Sequence, residues 1–599
     1  MQTLVHLILA LCTLHQLTDL NTSVNASRWP WKNREYSVAL KRKIRAVNKP
    51  IPINCRVGSW SSWTPCTSCT DKKYRFRYLE KPSQFGGIIC LETLWEKQSC
   101  PEATSQCLVD DYCGNSFTCK ETGRCIPQSL RCNGNSDCDD NSDEDGCDSL
   151  NERDDKCSTL MPIPGAERGT QGYNILTGDF VSHVLDPKYF GGECEYVYNG
   201  EWRKYIYEAF CESLQYNDEE KNYRKPYNYH TYQFVAQAQS EGSHEYYEDM
   251  ASMLNARKTM SSSSGGFTVG VYHVEAGISA SEESEFFTNL TQYKSQDLGF
   301  IRLSSKVQTA RFKLRSNNLM LHEDFYMSLM ELPELYNFGM YSKFLNTFGT
   351  HYVTEGTMGG TLEYIAVVNK TAMAESRVES EKIGGCIGGS IGLSVPIKTT
   401  GSVDFKLKAN HCELPTTTSG GKESSSSMIM DKLILVKGGV TGTSSTALLT
   451  DADLNTHRKW GASLQYNPAL IEHEIMPIYE LIRFSTASDH VGVRIANLER
   501  AVDEYMQQFD SCRCAPCQHN GIPVLSGTSC SCICKSGYWG EACEETFRPG
   551  AKTDGSWSCW AAWSTCTSGL KRRTRVCNNP PPEGGGSTCV GSSSQTRRC

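Results

Sequence analysis

Between Ile383 and Leu407 every Ile, Leu, Val and Phe occupies an odd position. They are Ile383, Ile387, Ile391, Leu393, Val395, Ile397, Val403, Phe405 and Leu407, and the even positions are glycine, cysteine, serine, proline, lysine, threonine and aspartate. A period of two marks a strand with one apolar and one wet face. Lys398-Thr399-Thr400-Gly401 has the composition of a turn, and it lies midway between Cys386 and Cys412. Closing a hairpin about Thr399 sets Ile391 opposite Leu407, Leu393 opposite Phe405 and Val395 opposite Val403, all on one face. The two cysteines then meet across the other face. Such a hairpin suits a half-buried soluble sheet. Period alone favours that reading, and the hairpin also has the form of a membrane-barrel unit, whose strands need ~9–11 residues to cross.

Composition narrows the setting. The chain has 599 residues, enough for several domains, and a net charge of −8 that leaves no nucleic-acid footprint. Thirty cysteines point to an oxidising compartment. The apolar run LVHLILALCTL makes residues 1–20 a secretory signal peptide. No later stretch offers eighteen continuous apolar residues, so entry into a membrane would require strands. Residues 21–45 read as a propeptide-like arm, with sequons at Asn21 and Asn25 and an Arg42-x-x-Arg45 convertase spacing. Further sequons stand at Asn289 and Asn369.

Four small cysteine-rich modules carry patterns of their own. In residues 54–107, Trp60 and Trp63 precede Arg75 and Arg77, which alternate with Tyr74, Phe76 and Tyr78. Period two puts both arginines on one face, where guanidinium planes can sandwich between indoles. The constellation returns in residues 553–599 at Trp557, Trp560, Trp563, Arg573 and Arg575. Both stretches resemble thrombospondin type 1 repeats, which implies C-mannosylation at Trp60, Trp557 and Trp560. Residues 112–148 hold six cysteines and end in an acidic cluster, and they resemble a class A module of the low-density-lipoprotein receptor. That resemblance implies one Ca2+, held by the side chains of Asn133, Asp137, Asp143 and Glu144 and the carbonyls of Leu130 and Asn135. Asn133 replaces the usual aspartate and removes one charge. Residues 512–544 resemble an epidermal-growth-factor-like module.

Residues 150–511 are cysteine-poor and long enough for a sizeable core. Near their middle stand Phe348-Gly349-Thr350-His351-Tyr352 and, six residues on, Gly359-Gly360. The run is similar to the signature of the membrane attack complex/perforin family, with Phe348 in place of Tyr or Trp. The expected fold is therefore multidomain: an α+β domain with a bent central antiparallel sheet and flanking helical clusters, plus small disulfide-rich modules. The glycines read as a bend, and His351 as structural. The resemblance implies two segments flanking the signature, compact and largely helical in the soluble protein, that unfurl into amphipathic hairpins in a membrane. The alternating stretch above lies in the second. The first falls around residues 242–295: a helix-like polar stretch from Glu245 to Thr259, a Ser/Gly break, then Phe267, Val269 and Val271 on odd positions and Val274, Ala276 and Ile278 on even ones. The change of phase at Tyr272-His273 marks a turn or bulge.

Removing Cys12 with the signal leaves an odd number of cysteines. The first three modules and the pair Cys386 and Cys412 close evenly once the seven cysteines of residues 512–544 are pooled with the five that follow. Cys157, Cys194 and Cys211 remain, so one thiol is free or bonds another chain. The family resemblance implies Cys157 to Cys194, and Cys211 to a lipocalin-like gamma chain. It further implies a non-covalent beta chain, the earlier terminal complement components, the ninth component and target membrane lipid as partners. The activity implied is that of a secreted, non-enzymatic pore subunit of the complement membrane attack complex, inserting Phe267, Val269, Val271, Ile391, Leu393, Val395, Val403, Phe405 and Leu407 into the bilayer. A secreted adhesion protein with an inert large domain is the rival. His351, His411 and the acidic residues show no metal or triad spacing, so no enzyme is expected.

Overall fold

The structure, a computed structural model, describes most of residues 49–599; residues 1–48 and several internal stretches, the longest being 254–292, 392–428 and 440–453, lie outside the described residues. The large domain is built on one antiparallel sheet. β1 (Gln171–Asn174) and β2 (Asp179–His183) form its margin. A separate two-stranded hairpin, β3 (Arg203–Tyr207) with β4 (Glu212–Tyr216), follows. Then come β5 (Tyr229–Gln239), β6 (Glu245–Tyr247) and the long β7 (Leu298–Leu314). Two helices, α1 (Glu323–Met330) and α2 (Phe338–Phe348), lead into β8 (His351–Asn369). The chain continues through α3 (Lys370–Ser376), α4 (Ser380–Ile391), β9 (Ile429–Lys437), α5 (Leu454–Ser463), β10 (Ala469–Pro477), α6 (Ile478–Arg483) and α7 (Gly492–Gln508).

β8 is the spine. β7 runs antiparallel along one side of it from Leu298↔Asn369 to Lys313↔Glu355, and β5 and β6 lie outside β7. On its other side β8 changes partner. Up to Gly359 it pairs with β10, ending at Gly359↔Ala469, and from Thr361 it pairs with β9, beginning at Thr361↔Lys437. The glycine pair sits at the exchange. A Cβ on Gly359 would lie 1.9 Å from the Val307 carbonyl oxygen, and one on Gly360 would lie 2.4 Å from Leu464. β7 answers with a bulge between Gln308 and Ala310. The glycine pair thus has a steric reason: only hydrogen fits where the strands approach at the exchange of partners.

The exchange divides the core. Below it, Val353, Met358, Leu345, Phe348, Leu481 and Leu498 belong to one continuous cluster of buried side chains. α2 is set by Asn337, whose side chain accepts from the Met340 N–H, and it ends at Gly349 with φ 83°. α7 turns Ile495, Leu498, Val502 and Tyr505 inward at helical spacing. Above the exchange there are two smaller clusters, one on each face of the sheet.

Ile383 to Ile391 belongs to the helix α4, the form the family resemblance implies for this segment in the soluble protein, although its period of two reads as strand. Ile383, Ile387 and Ile391 are four apart, a spacing that serves one helix face as well as one strand face. Burial decides: Ile383 and Ile387 are 0% and 3% exposed. Glu245 to Tyr247, read as helix-like, is the strand β6, paired with Phe300 to Arg302 of β7. Arg302 ties the three strands there, donating from Nη1 to Glu245 at 3.0 Å and from Nε to Glu363 at 2.6 Å.

The small modules stand on stacked cations and disulfides. Arg75 lies 4.6 Å from both Trp60 and Trp63, and Arg77 lies 4.3 Å from Trp60. In the second ladder Arg575 lies 4.4 Å from Trp557 and 4.3 Å from Trp560, and Arg573 lies 4.4 Å from Trp563. Cys113–Cys125, Cys119–Cys138 and Cys132–Cys147 close the acidic module. Cys512 bonds Cys559, so the pooled count across the last two modules rests on a bond between them. Cys157–Cys194 is formed as expected.

Candidate membrane-insertion site

Four strands end together at one edge of the sheet. Tyr247 faces Phe300, Phe300 faces Val367, and Val368 faces Ile429, so β6, β7, β8 and β9 finish at nearly one level. The chain leaves this edge twice, through residues 248–297 between β6 and β7 and residues 370–428 between β8 and β9. Each excursion starts on a different face. On one face Met250, Ala251 and Met253 pack with Phe300, Ile365, Val367 and Leu435 of the sheet and with Val524 and Ile533 of the growth-factor-like module. On the other, Ala372, Met373, Ile383 and Ile387 pack with Ile301, Leu303, Tyr364, Ala366, Val368 and Trp460. The two excursions clasp the upper sheet between them.

The first excursion is also latched from outside. The Ser536 N–H donates to Asp249 Oδ2 at 3.0 Å. The module that carries Ser536 is in turn held by the first ladder module: Ser83 bridges Ser529, with Ser83 N–H to Thr528 O at 2.9 Å and Cys530 N–H to Ser83 O at 2.8 Å. Asn369 caps α3, its Oδ1 accepting from the Ala372 N–H at 3.0 Å. Cys386 is disulfide-bonded. Cys412, Cys211, Asn289, Phe267, Val269, Val271, Leu393, Val395, Val403, Phe405 and Leu407 lie outside the described residues, as does the side chain of Ile391. The described termini of β3 and β4 pair Tyr207 with Glu212, so Cys211 immediately precedes the return strand.

The signature residues form a structural hinge. His351 is 2% exposed, its Nδ1 lies 2.8 Å from Thr350 Oγ1, and burial pushes its pKa down to about 4. A neutral, enclosed imidazole at the root of β8 braces the strand. Gly349 closes α2 where a Cβ would lie 2.7 Å from the Tyr173 nitrogen.

The acidic module gathers oxygen atoms. Asp143 accepts from the Asp137 and Cys138 N–H groups at 2.8 and 3.2 Å, and Glu144 accepts from the Asn133 and Gly134 N–H groups at 2.8 and 3.0 Å. Burial first, opposed by an Asn133 hydrogen bond and reinforced by Asp143, pushes the Asp137 carboxyl up to about 6. Asp137 feels the charge of Asp143, and these two lie with Glu144 and the amide of Asn133 in one small disulfide knot, a donor set whose chemistry fits a hard oxygen-liganded cation such as Ca2+. Asn133, Asp137, Asp143, Glu144, Leu130 and Asn135 are the residues that would hold it. The buried Arg124 between Asp186 (2.5 Å) and Glu323 (2.9 Å) joins this module to the large domain. That contact spans distant parts of the chain, and no local pattern announces it.

A family model described as "MAC/Perforin domain" matches residues 169–515, more than half of the chain. The chain belongs to the MAC/perforin family. Family models also match residues 111–147 as "Low-density lipoprotein receptor domain class A" and residues 517–545 as an EGF-like domain of complement components. The chain is similar to complement component C8 alpha chain of Oryctolagus cuniculus, 43% identical over 94% of this chain and 96% of that one. It is 36% identical to complement component C8 beta chain of Mus musculus, over 94% of this chain and 92% of that one. Complement component C7 of Sus scrofa is 32% identical over 92% of this chain and 62% of its own length. Among the described residues no helix is long and apolar enough to cross a membrane, which leaves strands untouched as a route for this MAC/perforin chain.

Proposed function

We propose that this chain is a pore-forming subunit of a complement-type membrane attack complex, matching the alpha chain of the eighth component in role. Register carries the reading. Every β8–β9 pair from Thr361↔Lys437 to Val367↔Asp431 is centred on Thr399, the midpoint of Cys386 and Cys412 and the turn read from sequence. The bulge at Val368↔Ile429 slips the pairing by one residue, and the proposed hairpin continues the register of the seven pairs before it. The β6–β7 pairs from Glu245↔Arg302 to Tyr247↔Phe300 are centred between His273 and Val274, beside the phase change at Tyr272-His273. Extending the β6–β7 register and the Thr361-to-Val367 register of β8 and β9 yields two hairpins whose turns fall where turn-forming sequence stands.

Phase agrees with register. Tyr247, Ile365 and Val367, odd positions on β6 and β8, and Phe300, an even one on β7, belong to the face under the growth-factor-like module. Straight continuation brings odd-numbered Phe267, Val269 and Val271, even-numbered Val274, Ala276 and Ile278, and odd-numbered Ile391, Leu393 and Val395 to that same face. All of these would meet lipid together, with Val403, Phe405 and Leu407 opposite their partners. Burying the six apolar chains from Ile391 to Leu407 at ~1.5–3 kcal/mol each gives on the order of 10 kcal/mol, enough to carry one polar turn across.

The remaining assignments follow from the same reading. Residues 54–107 and 553–599 are thrombospondin type 1 repeats by their ladders, with Trp60, Trp557 and Trp560 open to C-mannosylation. One Ca2+ sits in the class A module. Asn289 and Asn369 carry N-glycans; the Asn369 cap uses Oδ1 and leaves the amide nitrogen for the sugar. Cys211 bonds the gamma chain, the beta chain binds non-covalently, and the assembly joins the earlier components and recruits the ninth at a target membrane. The protein is secreted and acts without enzymatic chemistry.

The test is a double substitution, Leu393→Asp with Phe405→Asp. Secretion and assembly in solution are retained while lysis of target cells and labelling by lipid probes are lost. Undiminished lysis overturns the reading in favour of a soluble adhesion protein.

A further inference from the structure

Three of the residues assigned to calcium, Leu130, Asn135 and Asp137, also touch the large domain. Leu130 is 4% exposed and packs with Tyr189 and Met320, and a Cβ on Gly192 would lie 2.9 Å from its side chain. The Asp137 carbonyl accepts from Arg124 Nη2, whose guanidinium also binds Asp186 and, through Nη1, the Leu321 carbonyl at 3.1 Å. Asn135, whose carbonyl faces the cation site in the assigned set, offers its side-chain Oδ1 to Arg224 Nη1 at 2.9 Å.

Arg224 is the connecting piece. It is 7% exposed and lies 4.1 Å over the Phe190 ring. Its Nε and Nη2 donate to the Glu193 carbonyl at 3.1 and 3.0 Å. Its backbone ends the strand Asn222–Arg224, which pairs with Tyr196–Tyr198 in the register Tyr196↔Arg224 to Tyr198↔Asn222 and with Met161–Pro162 on its other side. These short strands are the root of the insertion that carries β3, β4 and Cys211. One guanidinium therefore holds the chain where it enters the insertion, at Glu193, the chain where it leaves, at Arg224, and the cation cage, at Asn135.

We infer that calcium in the class A module positions the root of the insertion, acting through Asn135 and Arg224. A bound ion fixes the Asn135 backbone, which fixes where Oδ1 stands, which holds Arg224 and with it the two root strands. Without the ion the carboxylates repel, the loop from Asn133 to Asp137 relaxes, and the root loses its anchor. Arg224 is a positioning residue and does not ligate the ion. The inference rests on the calcium assignment made above and not on the membrane reading.

Hydrogen exchange on the secreted full chain tests it, with calcium and with chelator. Chelation is expected to speed amide exchange about 10-fold or more at 196–198 and 222–224 while α2 and α7 keep their protection. Asn135→Ala and Arg224→Ala are expected to exchange fast at the root even with calcium present, and to weaken calcium binding, read by direct titration with Ca2+, about 10-fold. Asn135→Ala keeps the ligating carbonyl, so it decides the matter if Arg224→Ala is not secreted. Root exchange that ignores calcium, a chain that binds no calcium, or an Asn135→Ala chain with calcium-dependent root protection overturns the inference.

Discussion

β8 is one strand with two different surroundings. From His351 to Gly359 it runs through a single cluster shared with α2, α6, α7 and β10, elements packed on it from all sides. From Gly360 to Asn369 the same strand has a thin layer on each face, and most of what covers it belongs to the two excursions. The lower half is a scaffold whose partners have nowhere else to go. The upper half is covered by the segments that the proposed function assigns to membrane insertion. Equal burial in the two halves therefore has unequal meaning: below the glycines it reports stability, and above them it reports how firmly a removable cover is held.

The largest effect is expected at the boundary itself. Gly359→Val places side-chain atoms inside the Val307 carbonyl, and it should cost more than ~4 kcal/mol and abolish secretion of folded protein. Secreted, normally melting Gly359→Val protein would show that the partner exchange tolerates a wider bend.

Next comes a matched pair. Leu345 and Ile387 are 0% and 3% exposed. Leu345→Ala should lower global stability by about 2–5 kcal/mol, seen as a lower melting temperature with lysis reduced in proportion. Ile387→Ala deletes a similar volume but loosens the cover, so melting should change little while membrane insertion becomes faster. If both variants simply melt earlier by the same amount, the two halves are one cooperative unit and the comparison fails.

His351 gives a smaller, pH-gated effect in the lower half. Its folded pKa of about 4 lies below the ordinary value of 6.5, because burial disfavours the cation. The unfolded chain therefore binds the extra proton first. The stability held by neutral His351 is complete above pH 6.5 and is lost as pH falls toward 4, at up to about 1.4 kcal/mol per pH unit. His351→Gln should flatten this part of the stability profile in calorimetry, and an unchanged slope would assign it to other groups. Smallest is Arg575→Ala, which removes one rung between Trp557 and Trp560 and should cost about 1 kcal/mol, read as faster proteolysis of the last module alone.

Much of this was legible before any coordinates because local periodicity and covalent counting are local facts. Cys386 and Cys412 name the hairpin centre that β8 and β9 then share. The Trp and Arg ladders announce themselves by spacing, and the odd cysteine count singles out Cys157, Cys194 and Cys211. Period alone is degenerate: Ile383, Ile387 and Ile391 satisfy both spacings, and tertiary burial, not propensity, selects the helix. What stayed invisible was pairing at long range. Arg124 with Asp186 and Glu323, Asp249 with Ser536, and Arg224 with Asn135 join residues far apart in sequence, and one sequence offers no signal for such meetings.

The bond between Cys512 and Cys559 reaches further than its role in the cysteine count. It welds the growth-factor-like module to the last ladder module, and Asp503 of α7 adds a contact to Trp563 at 3.3 Å. Under the proposed function, uncovering Met250 and Met253 moves the growth-factor-like module together with the carboxyl-terminal repeat and against the Asp503 contact, as linked machinery rather than as a free flap. Anything that grips that repeat from outside thereby has a lever arm on the first excursion.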